Sequence, residues 1–171
     1  MRTIGVSTRN IMGIEYVFVD TCVLAGILLQ YNPLAPHDKL LESAFLKKDM
    51  LKLLNKIIED RLSDSGYVIA SIFAFVELIN KMESIFGKKL SLERINSAIS
   101  QPPSWLIIEP MDVQTAIFLC DVPDIVDGEK VSSDDAVHVA TAMQRGDKLT
   151  FLTTDHILKK MNLENIKFLG T

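Results

Sequence analysis

The sequence has little cysteine and no long apolar run, and each shortage excludes a class of protein. Its 171 residues include two cysteines, Cys22 and Cys120, which show no metal-ligand spacing. A reduced intracellular chain with two buried thiols is therefore expected, and a cysteine-bound metal is not. The longest apolar run, residues 23–29, is too short for a membrane span, which needs about 20 residues. With no apolar signal core near the N-terminus, we expect a cytoplasmic protein without a membrane partner.

The sequence also lacks an excess of basic residues. It has 18 lysines and arginines against 22 acidic residues, which gives a formal net charge of −4. A protein that coats DNA regardless of sequence is normally basic, so this class is excluded. The charge does not exclude an enzyme that holds a few phosphates through a bound metal.

What the sequence does contain is a regular alternation of apolar strands and helices. With 48% hydrophobic residues, it can build a full core, and its length suits one domain. We predict a leader at residues 1–14 and a single domain at residues 15–171, with a helical insertion at about residues 38–62. Strands are expected at residues 15–20, 67–71, 105–110, 149–153 and 166–170. Helices between strands predict an α/β sandwich with a mainly parallel sheet.

Acidic residues fall where the strands of such a sheet end. Asp20 ends the first strand, and Asp155 follows the fourth. Asp134 and Asp135 open a helix, and Glu77 lies inside an apolar helical stretch. Any one of them has an ordinary explanation, because acids in a first helical turn complement the helix dipole. Together they predict a shared site, because ligands of parallel sheets bind outside the carboxyl ends of the strands.

Acids gathered in this way need a positive partner. Clustered carboxylates repel one another, and their pKa values rise without a counter-charge. Hard oxygen ligands with little imidazole favour Mg²⁺ or Mn²⁺ over Zn²⁺. Such a cation polarises a phosphoryl oxygen and lowers the pKa of a bound water. The chemistry therefore points to hydrolysis of phosphate esters.

Four motifs then carry a resemblance to a known family. The stretches "VFVDTCVL", "ASIFAFVEL", "DDAVHVATAMQRG" and "FLTTD" occur in the order and at roughly the spacing of the PIN-domain ribonucleases, whose small members include the VapC-type toxins. The resemblance implies a PIN-like three-layer α/β/α sandwich and a Mg²⁺- or Mn²⁺-dependent endoribonuclease. It further implies an RNA substrate, an antitoxin partner and a homodimer.

The same resemblance assigns the site residues. The four acids of the family are matched, in order along the chain, by Asp20, Glu77, Asp135 and Asp155. Thr153 matches a hydroxyl residue that would hydrogen-bond an acid or the attacking water, and Thr21 matches the small hydroxyl residue after the first acid. Cys22 departs from the asparagine of many relatives, and a thiol cannot replace the amide's hydrogen bonds well.

Several alternatives stay open at the level of sequence. His138, three residues after Asp135, is either a metal ligand or a helix residue packed against the sheet, and the second is preferred. Asp134 has no family counterpart, and Lys81 is the lysine best placed to meet a phosphate. The rival functions are a non-catalytic PIN-fold RNA-binding or interaction module and a haloacid-dehalogenase-type phosphatase. The second lacks its usual second aspartate, because Cys22 stands there.

Overall fold

The fold was examined in a computed structural model, which describes residues 14–59, 66–81 and 92–170. Nearly all of the predicted leader at residues 1–14 lies outside these ranges. So does Gly87, which the sequence suggests as a helix stop.

A five-stranded, fully parallel sheet forms the centre of the molecule. Its strands stand in the order β3-β2-β1-β6-β7. Their bounds are β1 Glu15–Val19, β2 Gly66–Ser71, β3 Leu106–Glu109, β6 Leu149–Thr153 and β7 Ile166–Gly170. Apolar side chains pair along the ladders, as Val17 does with Val68 and Phe18 with Phe151. Each strand that the sequence predicts is confirmed within one or two residues.

Helices cover both faces of this sheet. Their bounds are α1 Thr21–Gln30, α2 Lys48–Glu59, α3 Ile72–Lys81, α4 Leu92–Ser100, α5 Val113–Leu119 and α6 Ser133–Met143. Helices α1 to α4 bury their apolar faces on one side of the sheet, and α6 lies on the other with α5 packed against it. The predicted α/β/α sandwich is thereby confirmed. No helix within the described ranges is long and apolar enough to cross a bilayer.

The predicted helix at residues 38–62 is too long at its N-terminal end. The described helix α2 begins at Lys48, and residues 38–47 form an irregular segment. The Asn55 side chain accepts the Leu40 N–H and donates to the Leu40 carbonyl, at 2.8 and 2.9 Å. The Gln30 side chain binds Leu41 in the same way. These side chains replace the helical hydrogen bonds that the apolar periodicity suggested.

The segment before α6 contains a small hairpin. Strands β4 Ile125–Val126 and β5 Glu129–Lys130 pair antiparallel around Asp127 and Gly128. Both turn residues have positive φ, 52° and 82°, as a two-residue hairpin turn requires. The short helix predicted after β6 is only a 3-10 turn at Leu158–Lys160.

Candidate active site

Two of the predicted acids stand at the point where the sheet changes direction. From the central strand β1 the chain proceeds to β2 on one side, whereas β6 leads to β7 on the other. Asp20 directly follows β1, and Asp155 lies two residues after β6. The gap between the carboxyl ends of such neighbouring strands is where parallel sheets bind ligands.

Asp20 is buried, and its hydrogen bonds from residues 14–59, 66–81 and 92–170 come from neutral donors. One oxygen accepts the Val23 N–H at 2.8 Å and caps α1, and the other accepts the Thr154 N–H at 3.1 Å. Burial raises the pKa of Asp20, and hydrogen bonds from the Thr153 hydroxyl and these two N–H groups offset only part of that rise. Capping therefore explains the position of Asp20, but no lysine or arginine in the described part of the chain forms an ion pair with it.

Glu77 is held from three sides. Thr21 Oγ1 donates to its Oε2, His138 Nε2 lies 2.6 Å from the same oxygen, and Lys81 Nζ donates to Oε1. Burial alone would raise the pKa of Glu77, but the bonds from His138, Lys81 and Thr21 outweigh it and lower the pKa to about 2. Glu77 is thus a buried, fixed anion at neutral pH.

His138 uses both ring nitrogens inside the protein. Nδ1 lies 3.1 Å from Ser71 Oγ, which itself accepts the Ala74 N–H and so has its own proton free to donate. Ser71 can therefore donate to Nδ1, and Nε2 can donate to Glu77. The ring also packs at 5.3 Å from that of Phe73. These contacts favour the packed, positioning role over the ligand role for His138.

Asp135 enters the cleft from the first turn of α6. Ser132 caps this helix by accepting the Asp135 N–H at 3.1 Å, and its hydroxyl donates to the Asp135 carboxylate at 2.5 Å. Burial raises the pKa of Asp135, the Ser132 bond opposes the rise, and the negative charge of Asp155 adds to it. The neighbouring Asp134 is half exposed and lies 3.4 Å from Lys81 Nζ.

Asp155 is fixed by the loop that follows β6. One of its oxygens accepts the N–H groups of Ile157 and Leu158, at 2.6 and 3.0 Å. Its own N–H donates to Thr153 Oγ1 at 2.9 Å. Because the Thr153 hydroxyl also bonds Asp20, Thr153 ties two acids to the end of one strand. The part that Thr153 plays in the reaction stays a prediction.

All four predicted acids open onto one cleft of about 270 Å³. Its lining also includes Thr21, Cys22, Lys81, Ser132, Asp134, His138 and Thr154. Among the described residues, five carboxylates of this lining thus face one ammonium group, that of Lys81. Within the described part of the chain, no three acidic, histidine or cysteine side chains already stand where they could hold one metal ion. The cleft therefore has the negative charge of a cation site, but its acidic side chains do not stand close enough together to coordinate one ion.

Sequence reasoning missed two contributors to this cleft. The Thr154 backbone N–H binds Asp20, and nothing in its residue type signals that contact. Ser132, by contrast, precedes Asp135 by three residues, which is the spacing of a helix cap, so its role had a readable signal. Cys22 is half-buried in the lining, and burial and the charge of Asp20 raise its thiol pKa.

Comparisons with known proteins bear on the fold. No protein-family model matches the chain, and no curated protein matches its sequence. A crystal structure of VapBC2 from Rickettsia felis, bound to a DNA fragment from their promoter, matches with a TM-score of 0.51 and 15% identity over 91% of this chain and 98% of that chain. FitAcB from Neisseria gonorrhoeae matches with a TM-score of 0.46 and 18% identity over 82% and 88%. The VapBC2 likeness confirms the PIN-like α/β fold that the sequence resemblance implied.

Proposed function

We propose that this chain is a metal-dependent endoribonuclease that hydrolyses RNA phosphodiester bonds. Asp20, Glu77, Asp135 and Asp155 would hold Mg²⁺ or Mn²⁺. The observation that carries the proposal is their convergence, from four separate elements, on one cleft at the carboxyl edge of the sheet. The motif resemblance to PIN-domain ribonucleases supports the same reaction.

The donor set fits a hard divalent cation. The carboxylate oxygens of this cleft are the ligands that Mg²⁺ and Mn²⁺ prefer. Burial raises the pKa values of Asp20 and Asp135, and the charge of Asp155 adds to the rise at Asp135, so a nearby cation would stabilise the charged form of both. When bound, a divalent cation supplies that charge and polarises the phosphate for attack by water.

The chain's own residues keep the acids in place for this reaction. Thr153 and the Thr154 N–H hold Asp20, while Thr21 and His138 hold Glu77. Fixed carboxylates are an advantage, because small displacements of groups around a reacting phosphate reduce rate strongly. Water would attack the phosphorus in line with the leaving 3′ oxygen, so the products carry 3′-hydroxyl and 5′-phosphate ends.

The direct test is cleavage of RNA by the purified chain. Total RNA is incubated with Mn²⁺, with and without a chelator, and the cut ends are mapped. A small phosphomonoester is assayed in parallel. We expect internal RNA cuts that the chelator abolishes, and an intact phosphomonoester. An intact RNA would favour the non-catalytic module, and hydrolysis of the phosphomonoester alone would favour the phosphatase.

We further propose that the chain is the toxin of a toxin–antitoxin pair acting in the cytoplasm, with an antitoxin as partner and a homodimer as its working form. The VapC-type motif resemblance supports this, together with the fold likeness to VapBC2. The test is induced expression in a bacterial host. Growth should stop with the native chain and continue with Asp20→Asn. Unchanged growth with an RNA-cleaving chain would contradict the toxin role but not the nuclease.

A further inference from the structure

Lys81 brings a positive charge to the Glu77 side of the cleft. It lies one helical turn after Glu77 in α3, and its Nζ contacts Glu77 Oε1 and lies 3.4 Å from Asp134 Oδ2. Its side chain is 41% exposed, so it reaches the acids from the solvent side. No other lysine or arginine lines the cleft among the described residues.

The contact with Glu77 has a consequence for any incoming cation. The second oxygen of Glu77, Oε2, is already engaged by Thr21 and His138. Oε1 is therefore the oxygen that Glu77 can offer to a ligand, and the Lys81 ammonium binds it. A divalent cation that approaches this oxygen is repelled by the ammonium, so the two cations exclude each other.

We propose that Lys81 is a built-in counter-ion that competes with the divalent cation for Glu77 and sets the cation concentration at which the cleft is loaded. The inference rests on the proposed function, because it concerns the same site. The ammonium has a second partner ready, since Asp134 already lies within 3.4 Å. Loading would move Lys81 from Glu77 to Asp134 without leaving the charge unpaired.

The test measures Mn²⁺ binding by calorimetry in the absence of RNA. The full chain is compared with Lys81→Met, with Lys81→Arg, and with Lys52→Met as a control on the exposed face of α2. Removing a partly exposed like charge should tighten Mn²⁺ binding by about tenfold in Lys81→Met. Lys81→Arg keeps the charge, so it should bind about as the native chain does, and so should the Lys52 control.

The outcomes separate this inference from the proposed function. Native-like or weaker Mn²⁺ binding by Lys81→Met would overturn the competing role while leaving the metal site standing. No Mn²⁺ binding by any variant would overturn both. Binding that appears only after Lys81 is replaced would support the competition in its strongest form.

A second measurement uses the native chain alone and so does not depend on the folding of a variant. The chain is treated briefly with an acetylating reagent, with and without Mg²⁺, and modified lysines are quantified by mass spectrometry. Asp134 is far more exposed than Glu77, so displacement of Lys81 from Glu77 to Asp134 should raise its acetylation severalfold relative to Lys52. An unchanged ratio at a saturating Mg²⁺ concentration would contradict the displacement.

Discussion

His138 Nε2 lies 2.6 Å from Glu77 Oε2, and this contact joins the helical layers on the two faces of the sheet. His138 belongs to α6 and Glu77 to α3, which pack on opposite faces. Because both residues are buried, the bond holds the acid in one position. Much of the geometry of the candidate site depends on this pair.

Replacing His138 by alanine should therefore weaken both the fold and the site. The change removes a buried partner from Ser71, Thr21 and Glu77, so the free energy of unfolding should fall by about 1–3 kcal/mol in urea titration. His156→Ala is the control, because His156 is exposed and pairs with Glu129 outside the cleft. A loss of the same size in both variants would contradict the role given to His138.

The stabilising effect of Glu77 should depend on pH. The ordinary pKa of this carboxyl is 4.5, and its partners lower it to about 2. A carboxyl with a lowered folded pKa stabilises the protein above its ordinary value and loses that effect as pH falls towards the folded pKa. The native chain should be more stable than Glu77→Gln by about 2 kcal/mol above roughly pH 5. The difference should shrink towards pH 2, and a constant difference would contradict the assignment.

The effect of Asp135 on stability should change with pH in the opposite direction. Its folded pKa is raised, so the charged form is disfavoured by folding, and stability is lost as pH rises through that pKa. In a chelator, Asp135→Asn should be more stable than the native chain at pH 7, and the gain should vanish in acid. Excess Mn²⁺ should reverse this order of stability. A Mn²⁺ concentration about 100 times the Kd adds about 2.7 kcal/mol to the free energy of unfolding of the chain that binds the ion, and nothing to that of a chain that does not bind it. Thermal melting of the native chain and of Asp135→Asn, each in chelator and in excess Mn²⁺, measures both differences in stability.

Thr21 offers a test of positioning without a change of charge. Its hydroxyl donates to Glu77, so Thr21→Val should reduce RNA cleavage by about tenfold or more, as is usual when a partner of a metal ligand is removed. The matched control is Thr141→Val. In the described part of the native chain, the buried hydroxyl of Thr141 bonds only the Val137 carbonyl within α6. That control should lose some stability and keep full activity. Equal activity in both variants would contradict the role of Thr21.

The part of the site that the sequence could predict is the part that local pattern determines. An apolar strand that ends in Asp20, and another followed by Asp155, place both acids at the same edge because parallel strands share their carboxyl ends. The positions of Glu77 and Asp135 within helices were equally readable from periodicity. These features need no knowledge of which side chains meet.

The part that could not be predicted depends on contacts between distant segments. Lys81 and Asp134 are 53 residues apart, and Ser71 and His138 are 67 apart, so no local pattern records their meeting. The irregular segment before α2 has the same origin, because Asn55 binds Leu40 across 15 residues. Cys120 was expected to be buried, but it is exposed at the end of α5.

The most direct measurement is RNA cleavage by Asp20→Asn, with Asp49→Asn as the matched control. Asparagine can still accept the Val23 N–H and cap α1, so the fold should persist, whereas the negative charge in the cleft is lost. Asp49 lies exposed in the first turn of α2, away from the cleft. In Mn²⁺, the account predicts that Asp20→Asn leaves a defined RNA uncut and Asp49→Asn cuts it as the native chain does. Cleavage by a clean, folded Asp20→Asn preparation at the native rate would contradict the account.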